Sequence, residues 1–161
     1  MGDLKINKKH GDQATVEFLR HLIDDLRSLE HLFENDLIED NIARIGAEQE
    51  FCLVNEHWRP AKNALDVLKA INDTHFTTEF ARYNLEINLD PLELKGDAFA
   101  QVENQLKALM AKAKEAANKN NSKIILTGIL PSISKHEVEL DYMTPLKRYY
   151  ALNEALIEAR G

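Results

Sequence analysis

One strand-like segment carries two glutamates on a single face, and few folds accommodate such a strand. The segment, IGAEQEFCLVN (residues 45–55), is rich in the aliphatic and aromatic residues that favour β-strands. Glu48 and Glu50 are two positions apart, so their side chains project from the same face. Apolar residues occur on both faces, which is typical of a central strand. Either water on a half-covered face or a divalent cation must therefore relieve the repulsion between the two carboxylates.

The rest of the chain alternates helical and strand-like patterns. Apolar residues at helical spacing predict helices over residues 14–33, 63–71, 98–117 and 144–159. Strands are predicted over residues 42–54, 76–80, 83–89 and 123–128, and the last of them (KIILTG) is apolar enough to be buried. The second and third strands form either a hairpin or one long bent strand. This order predicts an α+β domain in which helices pack on one mixed sheet.

These patterns divide the chain into three regions. Residues 1–12 are polar and are predicted to be a flexible N-terminus. Residues 13–40 form an amphipathic helix and a connector, and the apolar side of that helix packs either on the domain or on a partner. That partner could be a second copy of the chain, which would make a homo-oligomer. Residues 41–161 contain the strands and the other helices in one domain.

Charge and composition exclude several classes of partner. The formal net charge of −7 argues against a nucleic-acid-binding surface and against attraction to anionic membranes. No apolar segment approaches the roughly 20 residues that span a bilayer. Cys52 is the one cysteine, so an intrachain disulfide is impossible, and a cytoplasmic location is expected.

A third glutamate extends the acidic feature. Glu86 lies in the predicted strand NLEINLD, where polar and apolar residues alternate. If this strand neighbours the first one, Glu48, Glu50 and Glu86 converge on one patch of sheet. Three carboxylates of this kind could hold Mg²⁺ and, through it, nucleotide phosphates. A solvated polar face shared with Asn84 and Asn88 explains the same pattern.

Four segments in order resemble the glutamate–cysteine ligase family, in particular its second bacterial type of carboxylate–amine ligase. IGAEQEFCLVN is similar to a strand with a Gly-x-Glu-x-Glu-Phe pattern in that family. FTTEFARYNLEINLDP resembles the strand pair that carries the family's third acidic residue, and TGILPSI and MTPLKRYYALNEAL look like later family segments. The resemblance covers residues 42–161.

The resemblance implies a fold like the catalytic domain of glutamine synthetase, with a curved, mainly antiparallel sheet and helices outside it. It implies ATP and Mg²⁺ as cofactors, with Glu48, Glu50 and Glu86 as the metal-binding positions. The implied reaction, part of glutathione biosynthesis, phosphorylates the γ-carboxylate of glutamate to an acyl phosphate. An amine such as that of cysteine then attacks this intermediate.

The chain departs from the family pattern in two respects. Gln49 stands between the two glutamates, where an acidic residue is frequent in the family. The family domain also continues well beyond residue 161, so we expect this chain to be an N-terminal portion that is inactive as a catalyst by itself.

Other functional residues are less well defined by the sequence. Arg82, Lys147 and Arg148 are candidate contacts for a substrate carboxylate or phosphate, although solvated surface charges are the alternative for each. No residue is assigned a catalytic role. The alternative function is a non-catalytic regulatory or assembly module on the same scaffold, organised by the helix over residues 14–33.

Overall fold

The computed structural model describes residues 11–160, which fall into two compact units divided between Ala43 and Arg44. The predicted flexible N-terminus therefore lies outside the described residues, except for Gly11 and Asp12. The first unit contains helix α1, Asp12–Glu34, which agrees with the predicted helix. Every side chain of α1 is at least partly exposed.

The second unit contains three helices and six strands. Its helices are α2 (Ala64–Ile71), α3 (Ala98–Lys119) and α4 (Lys147–Arg160), and two short 3₁₀ turns span Lys135–Val138 and Leu140–Tyr142. Its strands are β1 (Arg44–Ile45), β2 (Glu48–Val54), β3 (Phe76–Thr78), β4 (Asn84–Asn88), β5 (Leu92–Glu93) and β6 (Lys123–Ile125). The α+β class is thus confirmed. No helix among residues 11–160 is long and apolar enough to cross a bilayer.

The main sheet has four strands in the order β3-β4-β2-β6, and all of its pairings are antiparallel. The prediction of a mixed sheet is therefore wrong for the described strands, whereas the antiparallel sheet that the resemblance implied is present. The prediction that the glutamate-bearing strand is central is confirmed, because β2 pairs with β4 on one side and β6 on the other. Between the two alternatives for residues 76–89, the structure has a hairpin of β3 and β4.

The core lies between one face of this sheet and helices α2 and α3. Phe51 and Leu53 of β2 alternate with the glutamates and point to this face, as do Leu85 and Ile87 of β4. All four are fully buried, and Val67 of α2 packs against them. The period of two in each strand thus separates an apolar face under the helices from a face that carries the carboxylates.

The first predicted strand, residues 42–54, is interrupted. Residues Gly46 and Ala47 separate β2 from β1, and β1 pairs with β5 in a separate two-stranded ladder. Pro91 lies between β4 and β5. Because proline has no N–H to donate, the hydrogen-bond ladder between β2 and β4 is interrupted before the ladder between β1 and β5 begins. Pairing resumes beyond the proline, with Ile45 opposite Leu92.

Strand β6 is less buried than its sequence suggested. The predicted strand KIILTG was expected to be buried, but β6 is an edge strand of three residues whose side chains are exposed or half-buried. Leu126, directly after β6, is more than half exposed. The expectation failed because an apolar run is compatible with a central or an edge position, and only the strand order distinguishes them.

Candidate metal centre

Strand register brings carboxylates together on the sheet face that α2 and α3 do not cover. Glu50 of β2 lies directly opposite Glu86 of β4, and Thr77 of β3 lies opposite Glu86 from the other side. Glu79 is two residues beyond Thr77, so strand alternation places it on the same face. One carboxylate oxygen from each of Glu50, Glu79 and Glu86 lies within 4.8 Å of the other two.

Electrostatic repulsion is evident at Glu79. Partial burial raises the pKa of this carboxyl group most. A hydrogen bond to Glu86 raises the pKa further, and so do the negative charges of Glu86 and Glu50. Glu79 therefore holds a proton more readily than an ordinary glutamate does. A divalent cation would reverse this effect, because it favours the ionised form of every carboxylate around it.

The ligand chemistry of this cluster suits a hard cation. Carboxylate oxygens are the preferred protein ligands of Mg²⁺ and Ca²⁺, and Mg²⁺ retains several waters when only a few carboxylates bind it. Asn88 donates a hydrogen bond from Nδ2 to Oε1 of Glu86 at 2.7 Å, which orients that carboxylate. Glu50 is exposed, and Glu79 and Glu86 are half-buried, so the cluster is accessible from solvent.

Glu48 lies on the same face but outside the closest group. It pairs with Asn88, two ladder positions beyond Glu50, and lines a depression with Gly46 and Leu89. Of the three glutamates that the sequence singled out, the structure thus brings Glu50 and Glu86 together. Glu79, which sequence reasoning missed, completes the group. The signal was the alternation in FTTEF. It puts Thr77 and Glu79 on one face of the strand, and Phe76, Thr78 and Phe80 on the other face.

The thiol next to this face is unsuited to nucleophilic chemistry. Cys52 follows Glu50 by two residues on the same strand face, and it is buried with Val54 and Leu130. Burial raises the pKa of the thiol, and the Glu50 charge raises that pKa further. Because the thiolate is the reactive form, Cys52 acts here as a small core residue, as its sequence context suggested.

The three candidate basic residues occupy different places. Arg148 of α4 donates from Nη2 to the carbonyl oxygen of Thr78 at 3.4 Å, and it stacks on the ring of Tyr149. Arg82 is half-buried, and its Nη1 donates to the carbonyl oxygen of Asp141 at 3.3 Å. Lys147 is the first residue of α4 and is exposed. Arg148 is thus bonded to the residue that precedes Glu79.

A partly buried ion pair, not foreseen from the sequence, anchors the segment between β6 and α4. Arg59 forms a bidentate contact with the Glu137 carboxylate. Its Nε donates to Oε1 at 3.1 Å, and its Nη2 donates to Oε2. The N–H and hydroxyl of Ser134 both donate to Glu137 Oε2 at 2.8 Å. Burial raises the pKa of Glu137, but the bonds from Ser134 and the Arg59 charge outweigh burial and hold the pKa below its usual value.

A second ionic network ties the ends of β3 and β4 to α3. His75 lies between two carboxylates, with Nδ1 2.6 Å from Asp73 and Nε2 3.1 Å from Asp90. Lys112 of α3 donates to the second oxygen of Asp73 at 2.6 Å, and Gln105 donates to Asp90 at 2.8 Å. The bonds from Lys112 and then from His75 hold the pKa of Asp73 well below its usual range. The bonds to Asp73 and then to Asp90 raise the pKa of His75.

We expect His75→Gln to destabilise the protein at pH 5.5 by on the order of 1 kcal/mol, and by much less at pH 9. A histidine with a raised folded-state pKa contributes stability that is complete below its unfolded-state pKa. That stability is lost as the pH rises through the folded-state value. Urea unfolding of both proteins at the two pH values measures the difference. His57→Gln is the control, because His57 is exposed, and an equal effect of the two substitutions at pH 5.5 would contradict this role.

Comparisons of this chain with family models, with curated proteins and with solved structures return no match.

Proposed function

We propose that this chain carries the acidic metal face of an ATP- and Mg²⁺-dependent carboxylate–amine ligase with a glutamine-synthetase-like sheet. The observation that supports the proposal most strongly is the convergence of Glu50, Glu79 and Glu86 within 4.8 Å on the uncovered face of an antiparallel sheet. Two of these glutamates occupy positions that the resemblance to the glutamate–cysteine ligase family selects. The third lies in FTTEFARYNLEINLDP, a segment that carries the same resemblance.

The proposed reaction has two steps. A γ-carboxylate oxygen of glutamate attacks the terminal phosphorus of ATP, which forms an acyl phosphate and releases ADP. The amine of a second substrate, such as cysteine, then attacks the acyl carbon and releases phosphate, which forms the amide bond. When bound, Mg²⁺ supplies positive charge that offsets the negative charge on the phosphates during the transfer.

The residues of this chain would hold and orient the cation. Glu50 and Glu86 face each other across β2 and β4, and the Asn88 amide sets the orientation of the Glu86 carboxylate. Glu79 would join them, because a bound cation favours the ionised form of its carboxylate. Glu48, two residues before Glu50 on the same face, would hold a second cation or a water of the first one. The backbone register of β2, β3 and β4 sets the spacing of these carboxylates along the sheet.

Arg148 is the best placed of the three basic candidates to meet an anionic substrate group. It is already bonded to the carbonyl of Thr78, one residue before Glu79, and the Tyr149 ring supports its guanidinium. We therefore assign Arg148 to a carboxylate or phosphate of the substrates, with Arg82 and Lys147 as outer contacts.

Replacing Glu86 by glutamine is expected to weaken divalent-cation binding by about tenfold or more, because a neutral amide oxygen is a poorer ligand than a carboxylate. Glu50→Gln should have a similar effect. Titration with Mn²⁺, followed by electron paramagnetic resonance, measures the fraction of bound ion directly. Isothermal titration with Mg²⁺ then checks the natural ion.

Glu115→Gln is the matched control, since Glu115 is an exposed carboxylate on α3 that pairs with Lys119. Equal cation affinity in the wild type and in the Glu50 and Glu86 variants would reject the metal centre. Repeating the titration with ATP separates the two parts of the proposal. Cation binding that ATP neither tightens nor requires would keep the metal centre and reject a nucleotide site formed by this chain alone.

One observation favours the alternative function, a non-catalytic regulatory or assembly module on the same scaffold. The long apolar side of α1 is exposed along its whole length, and an exposed apolar surface of this size marks an interaction site more often than a solvated surface.

A further inference from the structure

Helix α1 exposes a continuous row of large apolar side chains. We call this row the α1 apolar face, and it consists of Val16, Leu19, Leu22, Ile23, Leu26, Leu29 and Phe33. Each of these residues exposes between 43% and 64% of its surface. Glu17, Asp24 and Asp25 lie on the other side of α1. Two further exposed apolar residues of α1, Phe18 and Leu32, lie outside this row.

The spacing of this face fits packing against another helix. Val16, Leu19, Ile23, Leu26 and Phe33 alternate at intervals of three and four residues, with one charged position, Glu30, in the series. This is the seven-residue repeat of helices that pack side by side. At 1.5 Å per residue, the 18 residues from Val16 to Phe33 provide a seam about 27 Å long.

The charges select the direction of the partner helix. Two parallel copies in register would place the two Glu30 carboxylates side by side at the seam, where like charges repel. An antiparallel copy centred between residues 24 and 25 places Glu30 opposite Leu19 and beside Arg20 of the second copy. Glu30 lies in the seam and Arg20 flanks the seam on the same side of α1, so this arrangement would form two symmetric Glu30–Arg20 pairs.

The area of the face is compatible with a stable pair. Seven half-exposed apolar side chains provide on the order of 400 Å² of apolar surface per copy, taking about 100 Å² for a fully exposed one. The polar residues that flank the stripe add to this total, which approaches the lower end of the range for specific interfaces, about 600 Å² per partner. An interface of this size belongs with weak associations, so the dimer is expected to form only at micromolar or higher concentrations.

We infer that α1 binds α1 of a second copy of this chain, antiparallel, with Glu30 of each copy paired to Arg20 of the other. The inference does not rest on the proposed ligase activity, because no residue of the acidic cluster takes part. It identifies α1 as the element through which the chain assembles into a homodimer.

Sedimentation velocity of the 161-residue chain over a range of concentrations tests the pair. The wild type is expected to convert from monomer to dimer in the micromolar range, and the double substitution Leu19→Glu/Leu26→Glu is expected to remain monomeric. His21→Glu, which adds a charge on the opposite side of α1, is the matched control and should dimerise like the wild type. A wild type that remains monomeric at all concentrations would overturn the inference.

Charge exchange tests the antiparallel arrangement without disturbing the apolar seam. Arg20→Glu and Glu30→Arg should each weaken the dimer by about tenfold, since each change places like charges in contact twice. Mixing the two single variants should restore dimerisation. In the mixed dimer, each of the two contacts between position 20 and position 30 then joins a carboxylate to a guanidinium. The double variant should behave like the wild type for the same reason. If neither the mixture nor the double variant dimerises better than the single variants, the antiparallel pair is wrong.

Discussion

Replacing Phe51 by alanine is expected to destabilise the second unit by about 3–5 kcal/mol, the largest effect of any single substitution considered for this protein. Phe51 is 0% exposed and belongs to the central strand, where it packs in the core between the sheet and helices α2 and α3. Alanine removes the apolar contacts of the ring and leaves a cavity that the surrounding strands and helices fill only in part.

Urea unfolding followed by tryptophan fluorescence measures this loss. Trp58 is the one tryptophan of the chain and lies in the second unit, so its emission reports on that unit. Phe99→Ala is the matched control: Phe99 lies on α3, is 69% exposed, and its replacement should cost less than about 0.5 kcal/mol. Similar losses for both substitutions would show that β2 is not at the centre of the core.

The same substitution has a consequence for the candidate metal centre. Phe51 and Glu50 are neighbours on β2 and point to opposite faces, so the packing of the ring holds the strand that presents the carboxylate. We therefore expect Phe51→Ala to weaken Mn²⁺ binding under conditions where the variant is still folded, although no ligand has been removed.

Replacing Arg59 by alanine is expected to cost about 3 kcal/mol, because the Glu137 carboxylate is left buried without its counter-charge. The Glu137 side chain is 4% exposed, and among residues 11–160 the hydrogen bonds from Ser134 are what it retains once Arg59 is removed. Denaturant unfolding at pH 7 measures the loss. Lys62→Ala is the control, since Lys62 and Asp141 form an exposed ion pair that should contribute at most about 1 kcal/mol.

The pH dependence of the Arg59–Glu137 pair has a defined sign. The folded-state pKa of Glu137 is lowered, so the pair contributes fully above the unfolded-state pKa, and its contribution is lost as the pH falls through the folded-state value. The stability difference between the wild type and Glu137→Gln should therefore be large at pH 7 and shrink in acid. A difference that stays constant down to the acid limit of folding would contradict an ionised Glu137.

Helical periodicity located the helices because each helix buries or presents one stripe of its surface. The predicted helix over 98–117 corresponds to α3, Ala98–Lys119, and the predicted helix over 63–71 corresponds to α2, Ala64–Ile71. Strand boundaries were less predictable. Residues 42–54 satisfied the strand pattern throughout, yet Gly46 and Ala47 interrupt the pairing, and the short strand β5 had no signal of its own.

The candidate site was predictable in part for the same reason. Alternation within each of β2 and β4 is a local pattern, and it sufficed to predict a polar face that carries Glu50 and Glu86. Which residues lie closest depends on register, and register is a property of two strands rather than one. The register sets Glu50 directly opposite Glu86 and pairs Glu48 with Asn88 instead. It also brings Glu79, just after β3, close to Glu50 and Glu86.

By itself, the sequence determined which faces of the strands and helices are apolar, and hence the α+β class and the existence of an acidic sheet face. These properties depend on residues two to four positions apart, which the local backbone geometry brings to one side. Only the tertiary structure decided the strand order, the edge position of β6 and the contact between Arg59 and Glu137, which are 78 residues apart. Such contacts depend on how whole elements pack, and no local pattern encodes that packing.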